Sequence, residues 1–140
     1  GTPRWYVINS LDPVLDLVAI TTYPSPFFKD PDSIPPDYYL QLKNYTQKPV
    51  IVAESGWPSG GSANYHGSLE NQARFIELFP QLTSGLDLRL WIWWFLHDWS
   101  SGGYADFFKT MGLITSDGKP KPAWTVWQKT AAEIKRRTGK

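Results

Sequence analysis

One carboxylate stands where a folded chain can use it. Residues 48–59 read KPVIVAESGWPS: an apolar, mostly β-branched run follows Pro49 and leads straight into Glu54. Behind it, Ser55-Gly56-Trp57-Pro58-Ser59 breaks the backbone. An apolar run between such turn signals reads as a strand buried on both faces, the parallel-sheet type. The C-terminal end of that kind of strand is where α/β barrels and open α/β sheets carry their chemistry. Strict alternation puts Val50, Val52 and Glu54 on one side of the pleat, so Glu54 continues an inward row to the rim. A carboxylate there can act as a nucleophile or exchange a proton. The competing reading is a solvated strand-end glutamate paired with a lysine.

Aromatic density is the second chemical hint. Eight Trp, seven Tyr and seven Phe make 16% of the 140 residues, many of them near expected strand ends. Part of that set fills a core, but exposed indole faces also stack on the apolar faces of sugar rings. Charge removes other classes: Lys plus Arg total 14 against 13 Asp plus Glu, a net +1 that gives nucleic acid no electrostatic footprint. The basic tail of Lys135, Arg136, Arg137 and Lys140 suits a helix C-terminus. The absence of cysteine excludes disulfides, thiolate metal sites and thiol catalysis. His66 and His97 are too few and too far apart for a metal site, and no cofactor is expected. No run of about 18 apolar residues is present to span a membrane. No signal peptide opens the chain, which leaves the compartment open.

The elements that must position Glu54 follow from the pattern. The length suits one domain, residues 1–140, with a real core. Residues 4–8 (RWYVI) fit a short strand or the last turn of a helix. Residues 15–23 (LDLVAITTY) read as the first clear strand, with Leu17, Ala19, Thr21 and Tyr23 sharing a face and Tyr23 at its C-terminal end. A Pro/Asp/Ser-rich loop over 24–36 leads to a short helix over 37–45, with Tyr39 and Leu42 inward. After the Glu54 strand and a Gly/Ser loop, Ser68 caps a helix over 69–82 that Pro80 ends or bends. Its apolar stripe takes in Leu69, Ala73, Ile76 and either Phe75 or Phe79. Residues 88–96 (LRLWIWWFL) make the third strand, with Trp91, Trp93 and Phe95 on one face and Ile92, Trp94 and Leu96 on the other. A loop over 97–111 holds Asp98, Trp99, Tyr104 and Asp106. Pro122 sits in the first turn of a last helix over 123–137, anchored by Trp124, Trp127 and Ile134. Strands alternating with helices imply an α/β fold with parallel strands joined by right-handed crossovers.

Glu54-Ser55-Gly56-Trp57-Pro58-Ser59, behind Val50-Ile51-Val52-Ala53, resembles the nucleophile segment of the plant-type β-1,3-glucanases, glycoside hydrolase family 17. Residues 17–24 (LVAITTYP), 91–98 (WIWWFLHD) and 111–127 (MGLITSDGKPKPAWTVW) resemble the sixth strand, the eighth strand and the closing turn and helix of the wider clan of TIM-barrel glycosidases. The resemblance implies a partial (β/α)8 barrel, roughly strands six to eight with their helices. It makes Glu54 the nucleophile of retaining β-glucan hydrolysis and Tyr23 its hydrogen-bond partner. Trp93 becomes the platform under the sugar ring, and Trp57, Trp94, Asp98 and Trp99 are further candidates for substrate contact. The implied partner is a β-linked oligo- or polysaccharide, and the family's usual setting is extracellular.

A retaining glycosidase also needs a second carboxyl about 5–5.5 Å from the nucleophile. In the clan an Asn-Glu pair supplies it, and this sequence contains none; Glu70, Glu77 and Glu133 fall on expected helices. Three strands also leave open parallel edges, a liability unless they are paired. Self-association is therefore expected, with two or more copies completing a barrel-like or stacked arrangement; if two copies meet face to face, each would present Glu54 to a shared cleft. The alternative to an enzyme is a non-catalytic carbohydrate-binding or structural half-barrel.

Overall fold

Three parallel strands, β1 (Val18–Thr22), β2 (Val50–Ser55) and β3 (Leu88–Trp93), lie side by side in chain order. The structure, a computed structural model, describes residues 6–100 and 106–138. Helices α1 (Tyr6–Leu11), α2 (Leu69–Leu82), α3 (Asp106–Lys109) and α4 (Pro122–Thr138) accompany the sheet, with 3-10 turns at Asp12–Val14, Pro31–Ser33 and Leu40–Asn44. The architecture is a small α/β layer with a parallel sheet, consistent with a piece of a TIM barrel.

One local expectation is corrected. No α-helix forms over residues 37–45; turns lead into the 3-10 turn instead. Pro35 and Pro36 remove two backbone donors and disfavour helical geometry before them. Tyr39 and Leu42 are nonetheless buried, because a three-residue repeat sets them on one side. α2 spans the expected residues 69–82, with Pro80 two residues before its end. Ser68 does cap α2, its Oγ accepting from Asn71 N at 3.0 Å.

The two faces of the sheet differ sharply. Val18, Ile20, Val50 and Val52 are buried in one core with Phe75, Ile76, Phe79 and Leu82 of α2. On the opposite face Leu17, Ala19, Thr21, Leu90 and Ile92 are exposed. Strict alternation would set Glu54 beside Val50 and Val52, and it fails for a local reason. Val50 and Val52 pair with Val18 and Ile20, but Thr21 pairs with Glu54 and Thr22 with Ser55, leaving Ala53 as an extra residue. This β-bulge reverses the parity of everything after it. Ser55 joins the buried valines, and Glu54 turns to the open face beside Thr21.

β3 has irregular register as well, and its tryptophans Trp91 and Trp93 share the buried side. Trp91 pairs with Val52 and Trp93 with Ser55, so both face the helices. Phe79 stacks on Trp91 with ring centroids 4.2 Å apart, and Trp127 of α4 meets Trp91 edge-on at 4.7 Å. Aromatic pairs in these geometries add to the burial of their large apolar areas.

Phe79 is the centre of this layer, fully buried between Tyr39, Phe75 and Trp91. Replacing it with alanine is expected to cost about 3–5 kcal/mol, the usual range for a buried Phe→Ala. Urea unfolding followed by circular dichroism measures the loss. A change below ~1 kcal/mol would place the core elsewhere.

Candidate functional site

The loop after β1 turns at Tyr23-Pro24, and the Tyr23 hydroxyl donates to Glu54 Oε2 at 3.0 Å. The bulge and this bond together bring a strand-end phenol and a strand-end carboxylate to one point. Phe107 and Phe108 hold the Tyr23 ring by their edges, with centroids 5.7 and 5.4 Å away at 87° and 80°. The phenol is pushed well above its ordinary range, first by burial, then by its hydrogen bond to Glu54 and by the negative charge there. It therefore stays protonated and remains a donor that aims the carboxylate. Both groups are half-buried, so the pair is open on one side.

An aromatic rim continues from this point. Phe107 meets Tyr65 at 5.2 Å; Phe108 lies 6.1 Å from Phe95, which contacts Trp94 at 5.3 Å and Trp99 at 5.5 Å. Trp94 is seated by its backbone N–H, which donates to Ser55 O at 2.9 Å, one residue from Glu54. Trp94 and Trp99 are each 37% exposed. They are the indoles that this end of the sheet offers to a ligand.

The remaining expected site residues are placed otherwise. Trp93 is buried on the helix side, across the sheet from Glu54, and its Nε1 donates to Met111 O at 2.9 Å. Trp57 is fully buried against Phe75, 5.5 Å away, so it fills the core. Asp98 is largely buried and occupied: its Oδ1 accepts from Lys121 Nζ at 2.6 Å and from Gly112 N at 2.9 Å. Asp106 pairs with Lys109 at 2.6 Å. Tyr104 lies outside the described residues. Tyr65, Phe107 and Phe108 were not anticipated, since an adjacent Phe pair in a loop carries no periodic signal. The glycine of the motif has a packing reason, because a Cβ on Gly56 would lie 2.2 Å from Met111 Sδ. Among the described residues no group of three or more His, Asp or Glu side chains could hold a metal ion. No helix described is long and apolar enough to cross a membrane.

Solved structures give this geometry a context. The β-glucuronidase of Bifidobacterium dentium, complexed with coumarin-3-O-glucuronide, matches 84% of this chain with a TM-score of 0.65 at 19% identity. The Faecalibacterium prausnitzii β-glucuronidase matches 86% with a TM-score of 0.64 at 21% identity. That of Dictyoglomus thermophilum matches 84% with a TM-score of 0.62 at 18%. The fold of this chain resembles part of the fold of these enzymes. The chain spans only 21–23% of the length of those enzymes, and identities this low speak for the fold alone. No protein-family model matches the chain, and no curated protein does. Nothing in these likenesses points to family 17 in particular.

The raised phenols have a consequence for stability. Tyr23 and Tyr39 are both held above the free value of 10.0, burial being the main cause in each. A folded pKa above the unfolded one contributes stability that is complete below pH 10 and lost as pH rises beyond it. The urea midpoint is therefore expected to fall above pH 10, and to fall less steeply in Tyr23→Phe. Equal slopes in the two proteins would show that Tyr23 is solvated like a free phenol.

Proposed function

We propose that the chain carries the nucleophile side of a retaining glycosidase site that acts on β-linked glucan. The observation that carries this reading is the 3.0 Å hydrogen bond from Tyr23 to Glu54 at the C-terminal ends of adjacent parallel strands. The exposed indoles of Trp94 and Trp99 beside it suit a sugar face. The glycoside hydrolase-like fold supports the class of reaction, while the ESGWPS segment is the support for β-1,3-glucan.

Glu54 attacks the anomeric carbon as the bond from that carbon to the leaving oxygen breaks, and the leaving oxygen takes the electron pair. A covalent glycosyl-enzyme results. Water then attacks the same carbon, releases Glu54 and passes its spare proton to solvent. Tyr23 donates to the carboxylate throughout and keeps one oxygen aimed. Proton donation to the leaving group is the weak point, because Asp98 is committed to Lys121 and Asp106 to Lys109. Those commitments favour, as a second reading, sugar binding without turnover.

An aryl β-glucoside whose phenolate departs without acid help separates the two readings. We expect slow release of the aryl group, reduced about 10³-fold or more in Glu54→Ala, the scale of removing a reacting group. Azide should restore release in that variant by taking the vacated place. An aryl β-glucuronide run in parallel reports on the sugar. Laminarin binding with no release from either aryl glycoside would make the site a binding surface.

The bare sheet face, with Leu17, Leu90 and Ile92 exposed, underlies a second part of the reading, self-association of the chain. Light scattering at low micromolar concentration is expected to give a mass of two copies or more. A monodisperse monomer would overturn it.

A further inference from the structure

We propose that Lys121 is a positioning residue for Glu54, acting through segment 107–112 and the Tyr23 ring. The inference rests on the glycosidase reading for its functional meaning but not for its geometry. The Lys121 side chain is only 3% exposed, immediately before α4. Its Nζ donates to Asp98 Oδ1 at 2.6 Å, Gly112 O at 2.8 Å, Ser59 Oγ at 2.9 Å and Thr110 O at 3.2 Å. These acceptors come from three separate stretches: the turn after the Glu54 strand, the loop after β3, and the segment that follows α3.

That last segment is gripped from every side. Thr110 O also accepts from Ser59 N at 2.8 Å and Ser59 Oγ at 3.0 Å. Met111 O accepts from Trp93 Nε1 at 2.9 Å, and the buried Gln72 amide reaches Gly112 O at 3.1 Å and Trp57 O at 3.0 Å. Gly112 has no room for a side chain, since a Cβ there would lie 2.3 Å from the backbone of His97 and Asp98. Phe107 and Phe108, immediately before this clasp, are the rings that hold Tyr23 by its edges. Met111, inside it, closes on Gly56, two residues after Glu54. The clasp therefore sets the wall against which the phenol stands, and the phenol sets the carboxylate. Stability alone is a poor reason for such a group, because a buried ion pair can often be exchanged for apolar side chains without loss. Its reach across three stretches gives it a geometric reason.

The test reads the phenol directly. Glu54 is the charged group set against Tyr23, so loosening the aromatic wall exposes the ring and lengthens that hydrogen bond. Ultraviolet titration isolates Tyr23 as the difference between each protein and its Tyr23→Phe counterpart. In Lys121→Met, Tyr23 is expected to begin to ionise at lower pH than in the unaltered protein, in the direction of the free value of 10.0. The aryl glycoside kcat should fall roughly tenfold with KM within about twofold. Lys121→Met with Asp98→Asn leaves no orphaned charge, and Ser59→Ala cuts one arm of the clasp while keeping the ion pair. Both should shift Tyr23 in the same direction, Ser59→Ala by less. Folded variants that lower the urea midpoint but leave Tyr23 ionising as before would overturn the proposal and make Lys121 merely structural. A shifted Tyr23 in a protein that hydrolyses nothing upholds the positioning and sinks the glycosidase reading instead.

Discussion

A single extra residue in β2 decides on which side of the sheet the carboxylate emerges. With perfect alternation Glu54 would point into the apolar layer occupied by Val50, Val52 and the rings of α2. An ionised carboxyl in that position costs several kcal/mol and would shed its charge instead. The bulge at Ala53 removes the conflict. It gives the buried side Ser55, whose hydroxyl donates to Ile92 O at 2.9 Å and accepts from Trp91 Nε1 at 2.7 Å. It gives the open side Glu54. One local irregularity thus satisfies the core and brings Glu54 within hydrogen-bond reach of Tyr23.

Once Glu54 faces outward, its surroundings are built by a division of the aromatic side chains. Phe75, Phe79, Trp57, Trp91, Trp93 and Trp127 fill the layer between sheet and helices, where ring-to-ring contacts set the spacing. Tyr23, Tyr65, Phe95, Phe107 and Phe108 form a second, shallower set around the strand ends. The inner set supplies the stability, since large apolar areas leave water there. The outer set keeps solvent from the Tyr23 ring, and that partial drying sharpens the phenol–carboxylate bond. The same partial burial that raises the phenol's pKa makes it a dependable donor.

Much of this was legible in the sequence because the signals were local. Three apolar runs ending at turn residues marked three parallel strands, and Ser68 marked the start of α2. Tyr23 and Glu54 stood out because each is polar at the end of an apolar run. What alternation could not carry was any residue beyond a register shift. Counting put Trp91 and Trp93 on one face, as the structure has them, but did not say which face; the resemblance set Trp93 on the sugar side, whereas its pairing with Ser55 sets it on the helix side. Trp57 and Asp98 looked like site residues for another reason: a motif gives proximity in sequence, whereas burial is settled by what packs from elsewhere. For Trp57 that is Phe75 of α2, and for Asp98 it is Lys121, 23 positions away. Lys121 itself gave no sign. A lysine between two prolines at a helix start reads as solvated, and only the convergence of loops 59, 98 and 110–112 gives it buried acceptors.

That convergence also separates two kinds of charge in the molecule. The pairs Arg74–Asp32, Arg89–Asp87 and Lys119–Asp117 join exposed side chains, where solvent screens the charges and the pairing contributes little. They can be lost with little change in shape. Lys121–Asp98 differs because neither partner can return to water without opening the segment between α3 and α4, and that segment backs the Tyr23 ring. Burial opposes the ammonium and Asp98 supports it, leaving its pKa lowered, so the lysine is charged at some cost to itself. A cost of that kind is tolerated where position matters more than binding energy. Here it falls at the only described end of the sheet that gathers a carboxylate, a phenol and exposed indoles.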